Sequence, residues 1–141
     1  MREYNLFVIK DEYFNFYNNK PEYLYEILNK LNNFSSNMNY GITLYEQLCN
    51  KIDVEILKYY LNNKYGLSNN KVFYLDNVFI ELKYSRIVVR SKYNYPRIMK
   101  SFNCYNRNIF VCDFKNNDYF FLNSFMRNKV LENLVINSWK I

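Results

Sequence analysis

Histidine and alanine are absent from this 141-residue chain, and glycine and proline occur only twice each. Without histidine, the chain cannot build a Ser-His-Asp or Cys-His nucleophile, a histidine general base or a histidine metal site. With only Gly41 and Gly66, it cannot form the phosphate-binding loops GxxxxGK[ST] or GxGxxG. These absences argue against an enzyme, and we expect no metal site and no cofactor.

Two pairs of carboxylates are the remaining candidates for catalysis. Asp113 and Asp118 flank a predicted turn, and Asp53 and Glu55 lie where a helix is predicted to begin. Acidic residues at turns and helix starts usually satisfy local backbone N–H groups. We therefore interpret both pairs as capping residues.

Long apolar runs are also missing, so the sequence predicts no membrane span and no signal peptide. The three cysteines, Cys49, Cys104 and Cys112, show no CxxC spacing. Their number is odd, which favours reduced thiols in a cytoplasmic protein. The length and the 50% hydrophobic content predict one domain over residues 1–141.

Aromatic residues are abundant, with 16 Tyr and 12 Phe. The scarce residues Ala, Gly and Pro need GC-rich codons, whereas the frequent Asn, Lys, Tyr, Phe and Ile use AT-rich ones. Much of the aromatic content therefore reflects codon usage. Aromatic density alone is weak evidence for a binding surface.

The first half of the chain reads as one strand followed by helices. Residues 4–9 predict a strand, 10–18 a short helix, and Pro21 the first turn of a second helix. Residues 32–39 predict a loop. Helical spacing resumes at Thr43, continues through Leu44 and Leu48 and extends to Ile52. Asp53 is a candidate N-cap for a further helix over residues 56–61.

The second half is rich in β-branched and aromatic residues. Residues 72–82 and 86–90 predict two paired strands, and Pro96 opens a short helix that runs to about residue 105. Residues 108–114 and 119–123 predict a hairpin, and residues from 125 onward predict a helix. The order of elements predicts an α+β domain with a mainly antiparallel sheet and helices packed on it.

Positive charge is concentrated in the second half. Residues 1–62 carry six Lys or Arg and eight Asp or Glu, whereas residues 63–141 carry thirteen and five. Residues 83–107, hereafter the basic segment, contain no acidic residue. Their cationic side chains alternate with aromatic ones, as in a protein groove that binds single-stranded nucleic acid. Strand and helix periodicity would scatter these cations over several faces, so a solvated surface is the favoured interpretation and a nucleic-acid-binding module the alternative. The cations are Lys83, Arg86, Arg90, Lys92, Arg97, Lys100 and Arg107, and the rings are Tyr84, Tyr93, Tyr95, Phe102 and Tyr105.

The first predicted helix carries four rings on about one and a half turns: Tyr13, Phe14, Phe16 and Tyr17. Tyr13 and Tyr17 share one face because they are four residues apart. So short a helix cannot bury rings on every side, so the residues alone leave two alternatives: an exposed aromatic patch for a protein partner, or ordinary packing of these rings in the core.

Residues 4–28 (YNLFVIKDEYFNFYNNKPEYLYEIL) resemble the opening of the SirA family, the sporulation inhibitors of DNA replication. Residues 109–123 (IFVCDFKNNDYFFLN) are similar to the closing hairpin of that family, and RIVVRS and the helix after Pro96 fall between them in the same order. The resemblance covers about two-thirds of the chain. Residues 32–70 match only loosely.

The resemblance implies a non-enzymatic, cytoplasmic inhibitor that binds the N-terminal domain of the replication initiator DnaA when a cell commits to sporulation. Two aromatic side chains one turn apart on the family's first helix meet DnaA, and Tyr13 and Tyr17 match them. A glutamine on a later helix also contributes, and Gln47 is its counterpart. No membrane partner is implied, and direct contact with nucleic acid is not expected.

Overall fold

The structure is a computed structural model that describes residues 1–33, 39–66, 70–75 and 77–124, without the side chains of 39–42. Two predictions lie partly or wholly outside these ranges. Residues 34–38 of the predicted loop are not described, while residues 32 and 33 and residue 39 belong to helices. The predicted helix from residue 125 lies outside the described residues.

Within these ranges, seven strands form one antiparallel sheet in the order β3-β4-β5-β1-β6-β7, and β2 pairs with the end of β1. Helices accompany this sheet, so the predicted α+β class is confirmed. The strands are β1 (Arg2–Ile9), β2 (Cys49–Asn50), β3 (Val72–Leu75), β4 (Val78–Leu82), β5 (Ile87–Ser91), β6 (Ile109–Asp113) and β7 (Asp118–Phe121).

Strand β1 is the centre of the sheet and is buried from Tyr4 to Ile9. Alternate side chains of a strand point to opposite faces, so Tyr4, Leu6 and Val8 join one core, and Phe7 and Ile9 join another. Because β1 is covered on both faces, its sequence is a nearly continuous apolar run.

In the part of the chain that the structure describes, four α-helices and one 3-10 helix cover the two faces. Helices α1, α2 and α3 contribute to the core around Phe7, which we call the aromatic face. Helix α4 and the 3-10 helix pack on the core around Leu6. Their bounds are α1 (Asp11–Tyr17), α2 (Pro21–Asn33), α3 (Asn39–Leu48), α4 (Val54–Tyr65) and the 3-10 helix Arg97–Cys104.

Local signals set both ends of α4, which is longer than the predicted helix over 56–61 and begins directly after the predicted N-cap Asp53. The Asp53 carboxylate accepts a hydrogen bond from the backbone N–H of Ile56 at 3.1 Å, which is an N-cap. Gly66 ends the helix with φ of 65°, a left-handed conformation that glycine adopts without steric cost. The interpretation of Asp53 as a capping residue is confirmed.

Two predictions of element bounds were wrong. Residues 72–82 are two strands, because Asn77 adopts a φ of 63° and turns the chain between β3 and β4; asparagine tolerates this region better than most residues. Ile52 does not continue helix α3, which ends at Leu48. The chain instead enters β2 and pairs with β1, and the Ile52 N–H donates to the carbonyl of Tyr84 at 2.7 Å.

Candidate protein-binding surface

Helix α1 is fixed to the rest of the fold at its start. The backbone N–H of Lys10 donates to the carbonyl of Leu48 at 3.1 Å, which ties α1 to the end of α3. The side-chain amide of Asn108, just before β6, donates to the carbonyl of Ile9 at 3.1 Å and also to the carboxylate of Asp11. The helix therefore presents its side chains from a fixed position.

The rings of α1 divide between the core and the surface. Phe14 contacts Phe121 edge to face, with 5.1 Å between ring centroids. Tyr13 and Tyr17 are half-buried against the aromatic face, and Phe16 is 62% exposed. No residue of α1 is fully buried, so the helix keeps aromatic surface in water.

The hydroxyls of Tyr13 and Tyr17 have no hydrogen-bond partner among the described residues. Other tyrosines use theirs inside the fold: Tyr45 donates to the carbonyl of Ser85 at 2.6 Å, and Tyr4 accepts from the N–H of Tyr95 at 3.0 Å. A tyrosine with a half-buried ring and an unpaired hydroxyl can offer both apolar area and a polar tip to a partner.

Gln47 lies in the last turn of α3 with its side chain exposed. Its neighbour Leu48 accepts the hydrogen bond from Lys10, the residue before α1. The fold therefore brings Gln47 to the same end of the helical layer as the start of α1. Among the described residues, it forms no hydrogen bond with Tyr13 or Tyr17.

Phe16 is the surface residue that the sequence argument did not single out. Its ring meets the Tyr17 ring edge to face, with 4.8 Å between centroids and 87° between planes. The spacing carried a signal, because Tyr13 and Phe16 are three residues apart and therefore neighbours on a helix. We call Tyr13, Phe16 and Tyr17 the α1 patch.

Two cations of the basic segment have partners within the fold. The Arg86 guanidinium lies over the Phe7 ring, 4.9 Å from its centroid, and donates to the side-chain oxygens of Asn5 and Asn32. Arg86 therefore joins the end of α2 to the sheet.

Arg90 forms an ion pair with Glu3 at 2.8 Å and stacks on Phe79. Arg86 and Arg90 thus hold positions set by cross-strand neighbours. The other cations of the segment, which are all exposed, are Lys83, Lys92, Arg97, Lys100 and Arg107.

The rings of the basic segment are divided in the same way. Phe102 is fully buried, the Tyr95 hydroxyl donates to Asp118 at 2.7 Å, and the Tyr105 hydroxyl accepts from the N–H of Asp53. Tyr84 and Tyr93 are exposed. The segment is therefore a mixture of core and surface, and its cations and rings do not form the single interleaved set that a stacking groove requires.

The carboxylates at the last hairpin hold the end of the sheet together. The Arg2 guanidinium contacts Asp113 and Asp118, each at 2.8 Å. Burial acts to raise the pKa of Asp113, but hydrogen bonds from Asn116 and Arg2 outweigh it and hold that pKa below its ordinary value. Asp113 also accepts from the backbone N–H of Asn116 at 3.3 Å in the turn, as the capping interpretation predicted.

The cysteines differ in exposure. Burial raises the pKa of Cys49 to about 12 and raises that of Cys112 well above its ordinary value. Thiolates are the reactive form, so both thiols are poor nucleophiles. Cys104, at the end of the 3-10 helix, is exposed.

No known family model and no curated protein matches this chain. Among the described residues, no helix is long and apolar enough to cross a membrane. In the same ranges, no three or more His, Cys, Asp or Glu side chains are grouped so that they could hold a metal ion.

Proposed function

We propose that this chain is a cytoplasmic, non-enzymatic inhibitor of DNA replication initiation that binds the N-terminal domain of DnaA during sporulation. The resemblance of residues 4–28 and 109–123 to the SirA family supplies the identity of the partner. The observation that carries the proposal is that α1, with four rings in seven residues, has no fully buried residue. Adjoining aromatic side chains at a surface, unlike a single exposed ring such as Tyr59, are typical of a binding site for another protein.

The chain inhibits DnaA by occupying the surface of its N-terminal domain. Tyr13 and Tyr17 lie one turn apart on a helix that is fixed at its start, so little conformational entropy is lost when they enter an apolar groove. Gln47, at the end of α3, adds a polar group beside the start of α1. One copy of the chain covers one DnaA domain and blocks its contacts at the origin, which requires no chemical step.

The nucleic-acid alternative has less support. Arg86 and Arg90 are engaged with Phe7 and Glu3. Along the chain, buried residues lie between the five remaining cations of the basic segment. A strongly salt-dependent retention on single-stranded DNA would support the alternative, because phosphate contacts release counterions.

The proposal is tested by titrating the purified chain with the purified DnaA N-terminal domain. We expect one-to-one binding, and Tyr13→Ala and Tyr17→Ala should each weaken it by about 2 kcal/mol, or about 30-fold in Kd. Gln47→Ala should weaken it less, because a polar contact at an interface rim contributes little.

Tyr59→Ala is the matched control. Tyr59 is a tyrosine on α4, which packs on the opposite face of the sheet, and it is 71% exposed. Its loss should leave binding unchanged. If folded Tyr13→Ala and Tyr17→Ala variants bound with the affinity of the wild type, the assignment of the binding site would be refuted. If the wild-type chain did not bind, the assignment of DnaA as the partner would be refuted.

A further inference from the structure

Phe16 has more ring surface in water than its two neighbours in the α1 patch. It is 62% exposed, whereas Tyr13 and Tyr17 already have part of their surface packed against the aromatic face. The hydrophobic contribution to binding scales with the apolar area that is removed from water. A partner that covers α1 therefore gains more from Phe16 than from either tyrosine.

The ring of Phe16 is also held in place before any partner arrives. Tyr17 contacts it edge to face at 4.8 Å, and the Lys20 ammonium lies 5.4 Å from its centroid. A side chain that is already ordered loses less entropy on binding than a mobile one. Phe16 and Tyr17 thus form one continuous, preorganised aromatic surface.

Opposite charges flank this surface. Glu12 lies four residues before Phe16, hence on the same side of α1, and Lys20 lies beyond the other end of the helix. Both side chains are exposed. The complementary site is an apolar protein pocket with a cation near Glu12 and a carboxylate or carbonyl near Lys20.

We propose that Phe16 is a third anchor of the interface and inserts beside Tyr17 into such a pocket on the partner. This inference rests on the proposed function, because it assigns a further contact residue to the same DnaA-binding surface. Glu12 and Lys20 then orient the helix in the pocket.

The test compares Phe16→Ala and Phe16→Leu with Tyr59→Ala in titrations with the DnaA N-terminal domain. We expect Phe16→Ala to raise Kd at least about 30-fold, as much as the loss of either tyrosine, because an aromatic anchor contributes about 2 kcal/mol or more. Phe16→Leu should raise it less, because leucine keeps part of the apolar area. Tyr59→Ala should leave it unchanged, and all three variants should keep the thermal midpoint of the wild type to within a few degrees.

Direct contact is tested separately by placing the photoreactive residue p-benzoylphenylalanine at position 16. Irradiation of the complex should link the chain covalently to DnaA, whereas the same residue at position 59 should give no link. A positioning role for Phe16 through Tyr17 would lower affinity without producing this cross-link.

The outcomes separate the two proposals. If the wild-type chain does not bind the domain, the proposed function and this inference both fail. If it binds, and Phe16→Ala binds equally well or position 16 gives no cross-link, only the role of Phe16 is wrong.

Discussion

Helix α1 and the basic segment both place rings among charged residues in a short stretch of chain, but the fold treats them differently. In the basic segment, Phe102 is buried and Arg86 stacks on Phe7. In α1, no residue is fully buried, and Phe16 projects into water. Two segments that look alike in sequence therefore differ in the structure: the basic segment contributes side chains to the core, whereas α1 contributes no fully buried side chain.

Position in the fold explains the difference. The basic segment contains β5, which lies between β4 and β1, and its alternate side chains must fill both faces of the sheet. Helix α1 has only two turns and lies in the helical layer, where a helix can bury one side. Aromatic density marks a binding surface only where the topology leaves one side of the element uncovered.

Truncation of one ring in each region should show the difference between α1 and the basic segment most clearly. Phe102→Ala should lower the free energy of unfolding by about 3–5 kcal/mol, because a fully buried phenylalanine leaves a cavity. Phe16→Ala should lower it by less than about 1 kcal/mol, as expected for a mostly exposed side chain. Urea unfolding monitored by circular dichroism measures both, and equal losses would contradict the contrast.

Acid should weaken the end of the sheet where Arg2 contacts Asp113 and Asp118. The basic segment is attached to this end, because Arg2 donates to the side-chain oxygen of Asn94 at 3.1 Å and Tyr95 donates to Asp118. The pKa of Asp113 is lowered in the folded state, so its stabilising effect is complete above its unfolded pKa of about 3.9 and is lost as the pH falls through the folded value. Asp113→Ala should cost about 3 kcal/mol at neutral pH, because the charge of Arg2 loses its buried partner.

The control for the acid effect is Asp113→Asn, which keeps the shape and removes the titrating group. Its unfolding free energy should depend less on pH below about 4 than that of the wild type. An unchanged acid dependence would show that other carboxylates dominate it. Helix α1 should be unaffected, because the Arg2 cluster does not contact it among the described residues.

Neutralising Arg86 should affect folding rather than nucleic-acid binding. Arg86→Gln should cost about 1–2 kcal/mol of stability, because it removes a cation–π contact and weakens the hydrogen bonds to Asn5 and Asn32. Lys92→Gln, at an exposed lysine, is the matched control and should change stability little. If Arg86→Gln lowered retention on single-stranded DNA without loss of stability, the nucleic-acid alternative would gain support.

The smallest expected effect concerns Cys104, the exposed thiol of the basic segment. One thiol per native chain should react rapidly with Ellman's reagent, and all three should react after denaturation. Cys104→Ser should abolish the rapid phase, because Cys49 and Cys112 are buried. Rapid reaction of two or three thiols in the native protein would mean that the core of the aromatic face, which contains Cys49 and Cys112, opens to solvent.

Much of the fold was predictable because local signals agreed with the final structure. Pro21 began α2, Asp53 capped α4, and the last hairpin formed around its polar turn. The turn at Asn77 was missed because it lies within a segment that is otherwise rich in β-branched and aromatic residues. Tyr13 and Tyr17 were chosen by helical spacing and family resemblance, whereas Phe16 was identified by its exposure in the structure.

By itself, the sequence determined the antiparallel α+β class, the succession of an opening strand, helices and later hairpin strands, and the absence of histidine chemistry, because these depend on residue type and short-range spacing. Only the tertiary structure decided that Phe14 packs on Phe121 while Phe16 remains in water, and that Arg86 stacks on Phe7. Neighbouring rings on one helix are equivalent in sequence. Which of them is covered depends on strands contributed by distant parts of the chain.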